Sequence, residues 1–185
     1  ADGVKISPLD IADFPSLKKH FDKFEPALTK RSDKGKTPYN LRNCAYLEEF
    51  EKEKLIWADL SRTGNTFMYD TKNYYSVNST YLMTSEKENL KFLIAVLINP
   101  ISLWYLEQIY TKLDTTGWTW KKEPMEKIPI PKISKEKEAE FVNLVDKFLN
   151  ETDENERAKL SGEIDKLVYQ IYDLTADEIA LIENA

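Results

Sequence analysis

The sequence predicts an α+β fold: a small mixed sheet packed with helices, followed by a C-terminal antiparallel helical tail. Three observations predict it. Apolar residues recur at helical spacing early in the chain and again beyond residue 85. Between these regions, from Leu55 to Met83, β-branched and aromatic residues gather in short runs bounded by turn residues. The order of helix, strands and helices is that of an α+β chain rather than of regular βαβ alternation. With 185 residues, of which 42% are hydrophobic, the chain is one domain or one domain with a helical appendage.

Residues 1–12 read as a lead-in from a preceding domain, and the start Ala-Asp-Gly-Val-Lys reads as the edge of a longer protein. Asp13 is the expected cap of a helix whose stripe is Phe14, Leu17, Phe21, Phe24 and Leu28. Pro26 should kink or split that helix. His20 lies beside the stripe as a boundary residue. Ser32-Asp33-Lys34-Gly35 and Thr37-Pro38 are turn chemistry, so Lys30–Tyr46 is expected as an exposed loop. Tyr46–Lys54 can form a short acidic helix. Leu55–Leu60 reads as a buried strand, Gly64-Asn65 as a turn and Phe67–Tyr69 as a second strand, with one or two more in Tyr74–Met83.

Ser85-x-x-Glu88 has the pattern of a capping box opening a helix through Ile98. Asn99-Pro100 then restarts a helix with Pro at its first position. That second helix is apolar around much of its circumference and is the expected core helix. Gly117 marks a loop entering a strand at Trp118-Thr119-Trp120, where both tryptophans point to one side, either into the core or onto a stacking surface. Ile128-Pro129-Ile130-Pro131 is extended and separates a body, residues 1–133, from a tail, residues 134–185. In the tail, Ser134 and Thr152 cap two amphipathic helices, and Thr175-x-x-Glu178 is a capping box for a last short one. A short connection makes the two longer helices an antiparallel pair.

Composition narrows the function. A single Cys excludes an internal disulfide and a Cys-based zinc site, and one His disfavours a His-centred triad or metal site. No metal site and no catalytic residue is assigned. No apolar run is long enough to span a membrane and no signal-peptide pattern opens the chain, so no membrane partner and a cytoplasmic location are expected. The net charge of -6 is unevenly placed. From Ser134 onward there are 14 acidic and 6 basic residues, which leaves 18 acidic and 20 basic before it. The body is mildly basic, and charge location matters more than the total for phosphate binding.

Two patterns resemble catalytic motifs. Asn99-Pro100-Ile101-Ser102 is half of the Asn-Pro-Pro-aromatic motif of amine methyltransferases, without the second Pro and the aromatic, and it reads as a helix cap. Asp59 with Asp70-Thr71-Lys72 has the look of a metal-nuclease pattern, but such spacing is common at strand ends and turns. No Gly-rich cofactor loop follows a strand.

The chemistry concentrates in the loop. Lys30, Arg31, Lys34, Lys36 and Arg42 face a single acid, Asp33. Lys and Arg suit phosphates, and Arg and Asn fit guanine and adenine edges. The run from Lys30 to Tyr46 resembles the signature of the TaqI-like C-terminal specificity domain. Lys54–Leu60, Ile128–Ile133 and Ile164–Thr175 resemble the same family, in its order. The family is the target-recognition region of N6-adenine DNA methyltransferases and of fused type IIG restriction-modification enzymes. The resemblance implies sequence-specific binding of double-stranded DNA, in a bacterial protein, by a piece without turnover of its own. The catalytic domain, with S-adenosylmethionine, would lie elsewhere in the parent methyltransferase, whose other domains would be partners. Lys30, Arg31, Lys34 and Lys36, with Ser32 between them, would hold phosphates. Tyr39, Asn40, Arg42 and Asn43 would read base edges. Arg62, Trp118, Lys121 and Lys122 would form a second contact set. The tail would be a spacer or docking element. The alternative is a type I-like specificity subunit or helical subunit-interaction module.

Overall fold

A computed structural model describes residues 7–61, 67–109 and 118–184. The chain forms two compact units, 1–49 and 50–185.

In the first unit a 3₁₀ turn at Ile11–Asp13, capped by the Asp10 carboxylate, precedes α1 (Pro15–Phe21). A second 3₁₀ turn at Asp22–Phe24 separates α1 from α2 (Glu25–Lys30). The break comes where Pro26 enters the first turn of α2, since a proline tolerated there cannot continue the preceding helix. Asp13 is therefore inside a 3₁₀ turn and not the helix cap. No described residue of this unit is buried, and the apolar stripe stays largely open, with Leu17 50% and Phe24 51% exposed.

The second unit holds the sheet. Strands β1 (Lys54–Ala58), β3 (Phe67–Asp70) and β4 (Thr80–Met83) pair in the order β3-β1-β4. A two-residue ladder joins β2 (Leu60–Ser61) to β5 (Trp118–Thr119). The fold is α+β as expected, but every described ladder is antiparallel rather than mixed. Residues 74–79 are not strand; only Thr80–Met83 pairs with β1. The period-two alternation of β1 is clear. Leu55 and Trp57 face the helical core, with Trp57 flanked by Phe67 and Tyr81 across the ladder at ring distances of 5.5 and 5.6 Å. Ile56 faces the other way, between Met68 and Leu82.

Helix α3 (Leu90–Ile98) is the core helix, with seven of its nine residues buried. The expectation had placed that role on α4 (Pro100–Ile109), where only Ile101, Ser102 and Leu106 are buried. Hydropathy around a circumference does not say which of two adjacent helices is covered on all sides. Here α3 packs on β1 and β3 on one side and on α4, α6 (Lys135–Asn150) and α7 (Glu154–Ile171) on others. The cap of α3 is Asn89, which accepts from Lys91 N. Ser85 instead accepts from the Lys87 and Glu88 amides, closing a separate turn ahead of the helix. A short helix, α5 (Lys122–Met125), follows β5.

The chain from Ser134 onward lies inside the second unit. Ser134 caps α6 as expected, whereas α7 is capped by Asp153, one residue past Thr152, whose carboxylate accepts from two amides. Three residues connect these long helices, which pack side by side as an antiparallel pair. Phe141 and Val145 of α6 and Ile164 and Val168 of α7 are at most 2% exposed, and Phe141 meets Phe92 of α3 edge to face at 5.2 Å. The last helix, α8 (Ala176–Glu183), opens with both halves of the Thr175–Glu178 capping box. Among the described residues no single helix is long and apolar enough to cross a membrane.

Candidate nucleic-acid interface

The basic loop is a small hairpin. An antiparallel bridge joins Lys34 to Leu41, flanked by Gly35 N donating to Asn40 O at 2.7 Å and Arg42 N to Asp33 O at 3.0 Å. The tip is a turn from Thr37 to Asn40, closed by Asn40 N donating to Thr37 O at 3.1 Å, with Pro38 inside it. Gly35 is required by close approach: a Cβ there would collide with the Leu41 carbonyl and sit 2.9 Å from Asn40 Cβ.

Several site residues maintain this shape. Arg31 donates from its guanidinium to Asn40 O at 2.7 Å and Pro38 O at 3.4 Å. Its Nε is buried without a hydrogen bond and faces Asp33 Oδ1 at 3.4 Å as an ion pair only. Asn40 accepts from the Thr37 hydroxyl at 2.6 Å and donates to Leu9 O at 3.2 Å. The Tyr39 hydroxyl donates to Asp22 Oδ1 at 2.7 Å, and Lys18 donates to Oδ2 at 2.9 Å. The bond from Tyr39, then that from Lys18, holds the Asp22 carboxyl below its ordinary range, and the same carboxylate raises the Tyr39 hydroxyl. Lys34 Nζ donates to Thr29 O at 2.5 Å.

Lys30, Ser32, Lys36, Arg42 and Asn43 are exposed. The side chains of Lys30, Lys36, Arg42 and Asn43 make no hydrogen bond or ion pair with the described residues. The structure thus sorts the loop into a scaffold (Arg31, Tyr39, Asn40) and a set of open cations and an amide. Sequence order alone could not make that division, because the scaffold bonds run to backbone carbonyls and, from Tyr39, to a carboxylate 17 residues away, neither of which residue types reveal.

In the second contact set, Lys121 and Lys122 are exposed at the end of β5, with Lys122 paired to Glu126 at 3.4 Å. Trp120 is core: it is 3% exposed and its carbonyl accepts from Trp57 Nε1 at 2.7 Å. Trp118 is in strand β5 by its backbone, and its side chain lies outside the described residues, as do Arg62, Gly64-Asn65 and Gly117.

The tempting catalytic patterns are structural. Asn99 is fully buried, accepts from Ile101 N at 3.0 Å as the cap of α4, and donates to Asp165 at 2.8 Å. Asp70 is paired with Lys54 at 2.6 Å, so it has no free edge for a metal. No cluster of three or more metal-ligating acids, His or Cys occurs among the described residues.

These features meet the comparisons with known proteins at one point. The model of the TaqI-like C-terminal specificity domain matches residues 16–130, which takes in both α1–α2 with the hairpin and the sheet, and the chain belongs to that family. It is also similar to the type II methyltransferase M.BstVI of Geobacillus stearothermophilus, at 23% identity over 180 residues. That match covers 96% of this chain and 30% of the relative.

Proposed function

We propose that this chain is the DNA target-recognition region of a restriction-modification methyltransferase that modifies adenine at N6. The observation that carries the reading is the family match over residues 16–130, which contains a hairpin whose free side chains are cationic and amide. Lys30 and Lys36 neutralise phosphates as compact charges on flexible stems. Arg42 and Asn43 stand together just past the Lys34–Leu41 bridge and carry the paired donors and acceptors that fit base edges. Arg31, Tyr39 and Asn40 act indirectly, by fixing the backbone that presents them. In this reading the methyl donor S-adenosylmethionine belongs to a catalytic domain outside the chain, which flips the target base, and this region has no turnover of its own.

The helical-module alternative is less well supported. Helices α6 and α7 give their inner faces to the core of the second unit, which counts against a free-standing spacer. Their outer faces carry the acidic excess and would be repelled by DNA.

Fluorescence anisotropy of the chain with duplex DNA at low and moderate salt tests the reading. The expected result is binding that weakens steeply as salt rises, because phosphate contacts release counterions. Absence of binding at low salt, or binding indifferent to salt, would sink it.

A further inference from the structure

The segment between β3 and β4 is exposed in its side chains and fixed in its backbone. All of residues 71–79 are exposed except Ser76, with Tyr74 53% and Val77 70% open. At its root, Asp70 Oδ1 accepts from Lys72 N at 2.8 Å and Oδ2 from Tyr74 N at 2.9 Å. Between those amides Asn73 adopts φ 58°, in the left-handed region that Asn tolerates. In the middle, the Tyr75 ring stacks on Phe50 at 5.0 Å and its hydroxyl donates to Glu51, which also accepts from Asn73 Nδ2 at 3.3 Å. At the exit, Thr80 N and Oγ1 donate to Val77 O at 3.1 and 2.7 Å, and Asp59 N donates to Ser79 O at 2.9 Å.

The anchor of this loop is a buried ion pair. Asp70 is 2% exposed and meets Lys54 at 2.6 Å, and such a pair adds little net stability over an apolar one. What it does here is hold two loop amides in place. The side chains it leaves free are Lys72, Tyr74, Val77 and Asn78, none of which makes a polar bond to the described residues. A loop ordered before binding presents its side chains at little further entropic cost. These side chains are a cation for phosphate, an aromatic with a hydroxyl, an apolar group suited to a thymine methyl and an amide suited to adenine. Asp59 also accepts from Trp120 N at 2.9 Å through its carbonyl, so one residue links the loop's exit to the strand end that carries exposed Lys121. Lys72 therefore lies at the loop's entry, and Lys121 follows the residue bonded to its exit through Asp59.

We infer that residues 71–79 are a second duplex-DNA contact element, with Lys72 on a phosphate and Tyr74, Val77 and Asn78 toward a groove. The inference rests on the DNA-recognition reading above. The test is the salt dependence of binding to a short mixed-sequence duplex for the unaltered chain, Lys72→Ala, Lys72→Arg and Lys36→Ala, each with a thermal melt. Lys72→Ala should melt as the unaltered chain does, bind severalfold more weakly, and lower the log–log salt slope by about one. Lys72→Arg should restore both affinity and slope. An unchanged affinity and slope in Lys72→Ala overturns this inference, and a reduced slope in Lys36→Ala beside it leaves the hairpin reading standing. No binding by the unaltered chain at low salt overturns both.

Discussion

Lys54 and Asp70 stand directly opposite each other in the β1–β3 ladder and form an ion pair at 2.6 Å with both side chains at most 1% exposed. Lys54 completes its coordination with the Phe50 carbonyl at 2.6 Å and the Lys52 carbonyl at 3.3 Å. Removing one partner strands a charge in the interior. Asp70→Ala should therefore destabilise the chain by about 3–5 kcal/mol in urea unfolding, whereas the double change Lys54→Met with Asp70→Leu should cost less, because no unpaired charge is left and only the bonds to the Lys72 and Tyr74 amides and to the Phe50 and Lys52 carbonyls are lost. A single variant that unfolds at the wild-type midpoint would refute the pairing.

The same pair gives a pH dependence of defined sign. Burial alone would raise the Asp70 carboxyl, but the hydrogen bond from Lys54, the amides of Lys72 and Tyr74 and the Lys54 charge together hold it below its ordinary value of 3.8. A carboxyl depressed in the folded state contributes stability above its unfolded pKa and loses it as pH falls through the folded one. Stability should thus be full above that ordinary value and decline below it, and the Asp70→Leu, Lys54→Met double variant should lose part of that acid sensitivity. Parallel urea midpoints from neutral to acid pH measure it.

The helices beyond Ile133 should be inseparable from the second unit. Phe141 is fully buried against Phe92 of the core helix, so Phe141→Ala should cost about 3–5 kcal/mol. Truncation after Ile133 removes Phe141, Val145, Ile164 and Val168 together, all at most 2% exposed. At roughly 1.5–3 kcal/mol for each, that loss is comparable with the whole stability of a typical domain. A truncated chain with a cooperative melt at the original temperature would show the helices to be dispensable.

Elements written in local chemistry were legible in the sequence. Pro100 at the start of α4, Ser134 at the start of α6 and the Thr175–Glu178 box each act within one turn and needed no tertiary information. What depended on neighbours was not legible. Ser85-x-x-Glu88 has the residues of a cap, yet Asn89 is better placed to close the first turn of α3. Tyr74–Ser79 has strand composition, yet the Asp70 carboxylate turns the chain at its start by taking the Lys72 and Tyr74 amides, and Tyr75 is held aside by Phe50 and Glu51. The basic segment was visible as an exposed loop from its charge and turn residues, without the Lys34–Leu41 bridge that makes it a hairpin. That Arg31 turns inward while Arg42 turns outward was not, because both are arginines in the same run.

Gly35→Ala should open the hairpin without touching the rest of the chain. The added Cβ meets the Leu41 carbonyl, which belongs to backbone and cannot swing away. A clash of this kind costs about 1–3 kcal/mol locally. The Gly35 N to Asn40 O bond, 2.7 Å long, should break, and the residue 35 amide should exchange faster with solvent. DNA affinity should fall while the melt of the second unit stays put. A protected residue 35 amide in the variant would contradict this account of the turn.

Arg31 and Arg42 provide the sharpest contrast within the candidate interface. Arg31 is partly buried and ties the hairpin's two arms through the carbonyls of Pro38 and Asn40. Arg42 is exposed, and its side chain makes no polar bond to the described residues. Losing a charged hydrogen bond of the Arg31 kind typically costs about 1.5–3 kcal/mol, so Arg31→Ala should disorder the loop and weaken binding to every duplex alike. Arg42→Ala should leave amide protection in the loop unchanged. If Arg42 reads a base edge, its loss should cost roughly 1–3 kcal/mol on the preferred site while barely changing binding to single-mismatch duplexes. If it touches only phosphate, all sequences should weaken equally and the salt slope should fall by about one. Anisotropy on a selected duplex and its mismatches, run beside hydrogen exchange for both variants, distinguishes the outcomes. Loop amides that exchange faster in Arg42→Ala than in Arg31→Ala would reverse the two assignments.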